Sequence, residues 1–166
     1  MPLKITDLHS LMVHELKDLY NAEHQLLEAL PKMASAANDA QLAQAFRDHL
    51  AETKGHVKRL ETVFAGLEFE PGGQHCKAME GLLKEGSAMI EEDAPADVKD
   101  AGLICAAQRV EHYEMAGYGC ARTFARRLGM KDIADLLQLT LDEEGAADKK
   151  LTKLAMTKIN DGAVNG

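Results

Sequence analysis

The sequence predicts an all-α fold, a four-helix bundle with one long crossover connection that carries a short extra helix. Three observations predict it. Ala, Leu, Glu, Lys and Met dominate a chain with only 4% aromatics and no tryptophan, and these are strong helix formers. Apolar residues recur at steps of three and four over long stretches. No stretch shows the period-two alternation of a strand.

The first helix starts at Thr6 or Asp7, either of which can cap, and runs to about Ala36. Leu16, Leu19, Tyr20, Glu23, Leu27 and Leu30 share one face. Pro31 should kink it or loosen its last turn. Asn38-Asp39 breaks the run, and Asn38 with Gln41 resembles a capping box. The second helix covers about residues 40–66, with an inward face of Leu42, Phe46, His49, Glu52 or Thr53, His56, Leu60, Val63 and Leu67. Gly66 and Pro71-Gly72-Gly73 end it. A shorter helix follows from His75 to Glu92, and Asp93-Ala94-Pro95 marks its end.

The third long helix spans Asp97 to Leu128 and stops at Gly129, a C′ glycine. Leu103, Ala107, Val110 or Glu111, Glu114, Tyr118, Ala121 and Ala125 face inward. The fourth covers Lys131 to Ile159, with Leu137, Thr140, Leu141, Glu144, Asp148, Leu151 and Ala155 on one side. Residues 1–160 then form a single bundle domain, and the remaining tail is frayed. Short connections join the long helices into two antiparallel hairpins. A long connection between the hairpins is the topology of ferritin-like bundles.

Composition narrows the function. The net charge of -8 argues against nucleic acid, whose phosphates need a basic face, and against an anionic membrane. No run approaches a membrane span, and no signal peptide is visible, so a cytoplasmic location is expected. Cys76, Cys105 and Cys120 are odd in number and form no C-x-x-C. Buried free thiols in a reducing compartment are expected, not disulfides or a zinc site. Gly117-Tyr118-Gly119 lies within a helix, where small residues serve close packing, not nucleotide binding.

Several acidic residues occupy positions where apolar ones belong. A lone Glu on an apolar stripe is ordinarily a rim residue with its head in water; the register of these is what sets them apart. Folding the first hairpin about Asn38 brings Glu23 level with Glu52, and folding the second about Gly129 brings Glu114 level with Glu144. Glu23, Glu52 and His56 are spaced 29 then 4; Glu114, Glu144 and Asp148 are spaced 30 then 4. Glu111 lies one turn from Glu114.

Buried carboxylates each cost several kcal/mol, and like charges add to that. A bundle stable by only ~5–15 kcal/mol cannot hold six of them uncompensated. No inward Arg or Lys lies at this level, so two divalent cations are the expected compensation. Oxygen ligands with an imidazole suit iron or manganese, not structural zinc or an EF-hand calcium loop. The expected metal set is Glu23, Glu52, His56, Glu111, Glu114, Glu144 and Asp148, with His49 as alternative ligand or support. Tyr20 and Tyr118, one turn from Glu23 and Glu114, are candidate hydrogen-bond or electron donors. The plainer reading makes them core tyrosines bonded to carboxylates. Such a pair of ions can reduce peroxide, activate dioxygen or oxidise ferrous iron. Metal storage or a purely structural site are the other readings.

Glu15-Leu-Lys-Asp-Leu-Tyr20-Asn-Ala-Glu23, His49-Leu-Ala-Glu52-Thr53, Gln108-Arg-Val-Glu111-His-Tyr-Glu114 and Leu141-Asp-Glu-Glu144-Gly-Ala-Ala-Asp148 together resemble the YciE/YciF family of bacterial stress proteins. The resemblance runs from about Leu8 to Leu154. It implies a ferritin-like fold related to rubrerythrins, a dimetal centre and a helical homodimer. Glu111-x-x-Glu114 is similar to the third-helix pair of rubrerythrins. The rubredoxin domain that supplies those enzymes with electrons has no counterpart here. A peroxidase would therefore need an external reductant; catalase-like chemistry would need none.

Overall fold

A computed structural model describes residues 3–164. Its long helices are α1 (Leu8–Ala36), α2 (Ala40–Leu67), α4 (Ala96–Arg127) and α5 (Lys131–Leu154), with the shorter α3 (Lys77–Glu91) between the pairs. A π-helical turn, Ala155–Ile159, continues α5 into α6 (Asn160–Val164). No strand occurs among the described residues. No helix there is long and apolar enough to cross a membrane.

Local chemistry sets the ends. Asp7 caps α1 in a capping box with Ser10, its carboxylate accepting from the Ser10 N–H at 2.7 Å. The helix continues through Pro31 to Ala36; Pro31 is exposed, where water can take the freed carbonyl. The cap of α2 is Asp39, not an Asn38–Gln41 box: its carboxylate accepts from Gln41 and Leu42. Glu68, in the left-handed region at φ 57°, closes α2 beyond Gly66. Gly129 takes φ 76° after α4, as the sequence predicts, and Met130 N–H returns to Ala125. The expected frayed tail is instead helical to Val164; residues 165–166 lie outside the described residues.

The hairpins α1/α2 and α4/α5 pack against each other, α1 on α4 and α2 on α5. Asp100, buried near the start of α4, accepts from the backbone N–H groups of Asn38 and Asp39 at 2.8 and 2.7 Å. The start of α4 therefore sits at the α1–α2 loop, and the connection carrying α3 must travel most of the length of the bundle. It crosses on the α1/α4 side. There Cys76 caps α3, and its thiol meets Asp18 at 3.0 Å and Tyr113 at 3.1 Å. Cys76 is buried as expected, whereas Cys105 and Cys120 are exposed, on the outer face of α4. Gly117 permits close approach of α4 to α1: a Cβ there would lie 2.8 Å from Leu19.

The apolar core is split into two clusters. One joins Leu26, Leu30, Phe46, Met79 and Leu103; the other joins Leu16, Leu60, Phe64, Tyr118 and Leu137. Between them lies a layer of buried polar side chains.

Candidate metal centre

Each long helix sends buried polar groups into this layer. Glu23 comes from α1, His49, Thr53 and His56 from α2, Glu111 and Glu114 from α4, and Glu144 from α5. Two groups have geometry that could hold a metal ion: His49, Glu111, Glu114 and Glu144, and Glu23, His56 and Glu144. Glu144 belongs to both. Within each group the ligand atoms lie within 4.8 Å of one another.

The distances show charges facing charges. His49 Nε2 lies 3.1 Å from Glu111 and 3.5 Å from Glu144. His56 Nδ1 lies 3.2 Å from Glu23 and 3.0 Å from Glu144. Both ring atoms still lack an aligned hydrogen bond, as do both oxygens of Glu114 and of Glu144 and one each of Glu23 and Glu111. These are ion-pair approaches without hydrogen-bond direction. So many orphaned buried atoms on six neighbouring residues are costly in a folded core. Unaligned carboxylate and imidazole atoms converging on two points are the donor set that a divalent cation takes, so these residues fit the group.

Protonation is shaped accordingly. Burial opposes charge on His49, yet Glu111 and Glu52, with the charge of Glu144, hold its pKa well above the usual range. Burial likewise opposes charge on His56, and Glu144 and Glu23 raise it to about 10. Burial, then the charges of Glu144, Glu23 and Glu111, push Glu114 well up. Burial pushes Glu144 up to about 8 against the pull of His56. Glu111, despite burial, is lowered by His49. Without metal, protons balance the cluster.

The rim corrects part of the expected ligand set. Glu52 is 43% exposed, and its carboxylate lies 3.0 Å from His49 Nδ1. The buried stripe of α2 runs Leu42, Phe46, His49, Thr53, His56, Leu60, Val63, so Thr53 takes the inward place and Glu52 falls 100° off it. Glu52 belongs to neither metal-capable group; it holds the ring of His49. Asp148 also belongs to neither. It is half-buried and engages Gln108 at 3.1 Å and His112 at 3.2 Å. Tyr20 points away, its hydroxyl donating to Glu61 at 3.3 Å. Tyr118 is fully buried and donates to Glu23 at 2.5 Å; burial and the charge of Glu23 push its pKa up. His49 and His56 both face the cluster, one in each group.

One residue escaped the sequence reading. Glu143 lies 2.8 Å from His56 Nε2 and accepts from Arg59 at 3.0 Å. Arg59 also donates to Thr140 at 2.6 Å. Glu143 is to His56 what Glu52 is to His49, a rim carboxylate on the outer ring nitrogen. Its signal was present in sequence: a second Glu beside Glu144, turned toward α2.

The family described as a domain of unknown function, DUF892, matches residues 7–164. This chain belongs to that family. Protein YciF of Escherichia coli (strain K12) is 43% identical over 164 residues, 98% of this chain and 99% of the relative. The crystal structure of that stress protein aligns with TM-score 0.91 over 94% of this chain and 99% of the other. YcfI from Rhodopseudomonas palustris aligns with TM-score 0.88 at 41% identity, over 92% and 97%. The resemblance drawn from four motifs therefore holds across the YciF-related chain, as does the all-α fold.

Proposed function

We propose that this YciF-family protein is a dimetal-carboxylate stress protein that performs redox chemistry on peroxide or dioxygen. The observation that carries this is Glu144, shared by two adjacent ligand groups that draw on all four long helices. Glu144 would serve both groups if each took an ion. His49, Glu111 and Glu114 would hold one, Glu23 and His56 the other. Iron or manganese suits so oxygen-rich a set, and bound there would supply two-electron redox chemistry. Glu52 and Glu143 fix the two imidazoles, and Tyr118 holds Glu23 in place. The two apolar clusters exclude water from above and below. That YciF is a stress protein supports the setting, and a cytoplasmic location is part of the proposal.

The assembly we propose is a homodimer, the commonest closed form. Ile5, Leu139, Met156 and Val164 are the large apolar residues exposed among the described residues, and a partner would cover some of them. Light scattering at twice the monomer mass is expected; a 24-subunit particle would instead favour metal storage.

Metal analysis of protein purified from its native host, paired with peroxide-consumption kinetics, tests the function. Two iron or manganese ions per chain with turnover are expected. Two ions without consumption of peroxide or dioxygen would leave a binding protein, and absence of metal at saturating supply would end the proposal.

A further inference from the structure

Two openings reach Glu111. The one between α2 and α5 is small, about 100 Å³, with Asp48, His49, Glu52 and Lys150 beside Phe46 and Leu151 in its lining. The other is a cleft of about 250 Å³ between α1, α3 and α4. Leu26, Leu30, Met33, Ala106, Ala107 and Val110 form its wall. Its mouth is polar, with Gln25, Glu28, Lys32, Ser87 and the Glu80–Lys84 ion pair. At its inner end is Glu111, whose buried Oε2 has no hydrogen-bond partner.

A cleft walled by aliphatic carbon is a poor path for a cation, which would shed its water for no ligand. It is a good site for hydrocarbon. A dry cavity of about 150 Å³ takes benzene, so this cleft has room for roughly ten heavy atoms. Gly86 lies on the inner face of α3 and is buried. A Cβ there would meet Ala106 at 3.9 Å and Met33 at 4.0 Å, ordinary contact distances. Helix packing therefore does not require glycine, a residue that weakens a helix interior. What Gly86 provides is open space.

We propose that the cleft between α1, α3 and α4 binds a medium-length aliphatic molecule, its polar head at the mouth and its hydrocarbon tail ending beside Glu111. The tail's nearness to a metal centre rests on the function proposed above; occupancy of the cleft does not. The head group is an alcohol or a carboxylate, and the two are separable by measurement.

The test is titration of the full chain, metal-free and manganese-loaded, with 1-octanol and with octanoate, followed by calorimetry and by NMR of the ligand. One saturable site per chain is expected for at least one of the two. Preference for octanoate would assign the head to Lys32, since Lys84 is paired with Glu80; preference for octanol would assign it to Gln25 and Ser87. Gly86→Leu should weaken binding at least tenfold while the helical circular dichroism persists. Gly81→Leu, on the same helix at an exposed position with nothing within 4 Å of its Cβ, should leave affinity unchanged. Bound manganese should broaden the terminal methyl resonance more than the carbons next to the head. Absence of saturable binding, or equal affinity in both variants, overturns the proposal. Greater broadening at the head overturns its orientation. Binding that persists in a protein unable to take up metal leaves the cleft standing and removes the metal centre, so the two failures are distinguishable.

Discussion

Glu144 and Glu52 were equivalent on the basis of spacing alone, and the side-chain contacts separate them. Glu144 faces both imidazoles from full burial, whereas Glu52 holds only the outer nitrogen of His49. Glu144→Gln should therefore lower bound metal below two per chain with helical content intact, as read by metal analysis and circular dichroism. Glu52→Gln and Glu143→Gln should keep two sites and weaken one each by about 10–100-fold. If Glu52→Gln removes an ion outright and Glu144→Gln does not, the assignment of roles is reversed. Tyr118→Phe is a second test at this scale. It leaves the Glu23 oxygen without its donor in a dry site, at a cost of about 1.5–3 kcal/mol in the metal-free protein. The loss should shrink once metal engages Glu23. Chemical denaturation with and without manganese measures both.

At the scale of elements, Asp100 ties the start of α4 to the α1–α2 loop. Its carboxylate serves two backbone donors that otherwise have no acceptor. Asp100→Ala should destabilise the protein by about 1–3 kcal/mol or more, exceeding the ~1 kcal/mol expected for the α2 cap in Asp39→Ala, whose carboxylate also meets Lys158. Equal shifts in thermal midpoint would mean that Asp100 is only one more cap. Helix existence was legible throughout, because periods of three and four persist over whole elements. Caps were less so: Asn38 and Asp39 are adjacent, both able to cap, and only the backbone geometry selects Asp39. The tail was misjudged for a related reason. Residues 160–164 have little apolar periodicity of their own; α6 forms where it packs on α4, with Gly162 so close to Asp97 that a Cβ would clash.

For the whole molecule, the polar layer couples stability to pH and to metal. Glu144 and Glu114 have folded-state values raised above the ordinary 4.5, and His56 rises from 6.5 to about 10. In each case the folded state binds more protons than the unfolded one. The metal-free protein should therefore lose stability steadily as pH rises from about 5 through 8 to about 10. Glu111 runs the other way: its contribution is present above 4.5 and is lost in acid as pH falls through its lowered value. Denaturation midpoints in chelator at pH 5, 7 and 9 should fall in that order. With saturating manganese the fall should be offset near neutral pH, because metal takes the deprotonated ligands and releases their protons. Identical midpoints for chelated and loaded protein at pH 7 would refute a buried metal site.

By itself the sequence determined the helices, the two hairpins, the crossover and the level at which buried carboxylates gather. Those follow from local periodicity and from counting residues outward from two loops. It also placed Glu23, His56, Glu111, Glu114 and Glu144 in one layer. Only the tertiary structure decided which atoms face inward. A rotation of 100° about a helix axis separates Thr53 from Glu52 and Glu144 from Glu143, and spacing in a charged sequence cannot resolve one residue. That angle is set by how α2 and α5 pack against their neighbours, where Leu60 and Leu137 must be dry. The same packing turns Glu52 and Glu143 outward onto the two histidines and opens the apolar cleft beneath α3, a space that exists only between helices distant in the chain.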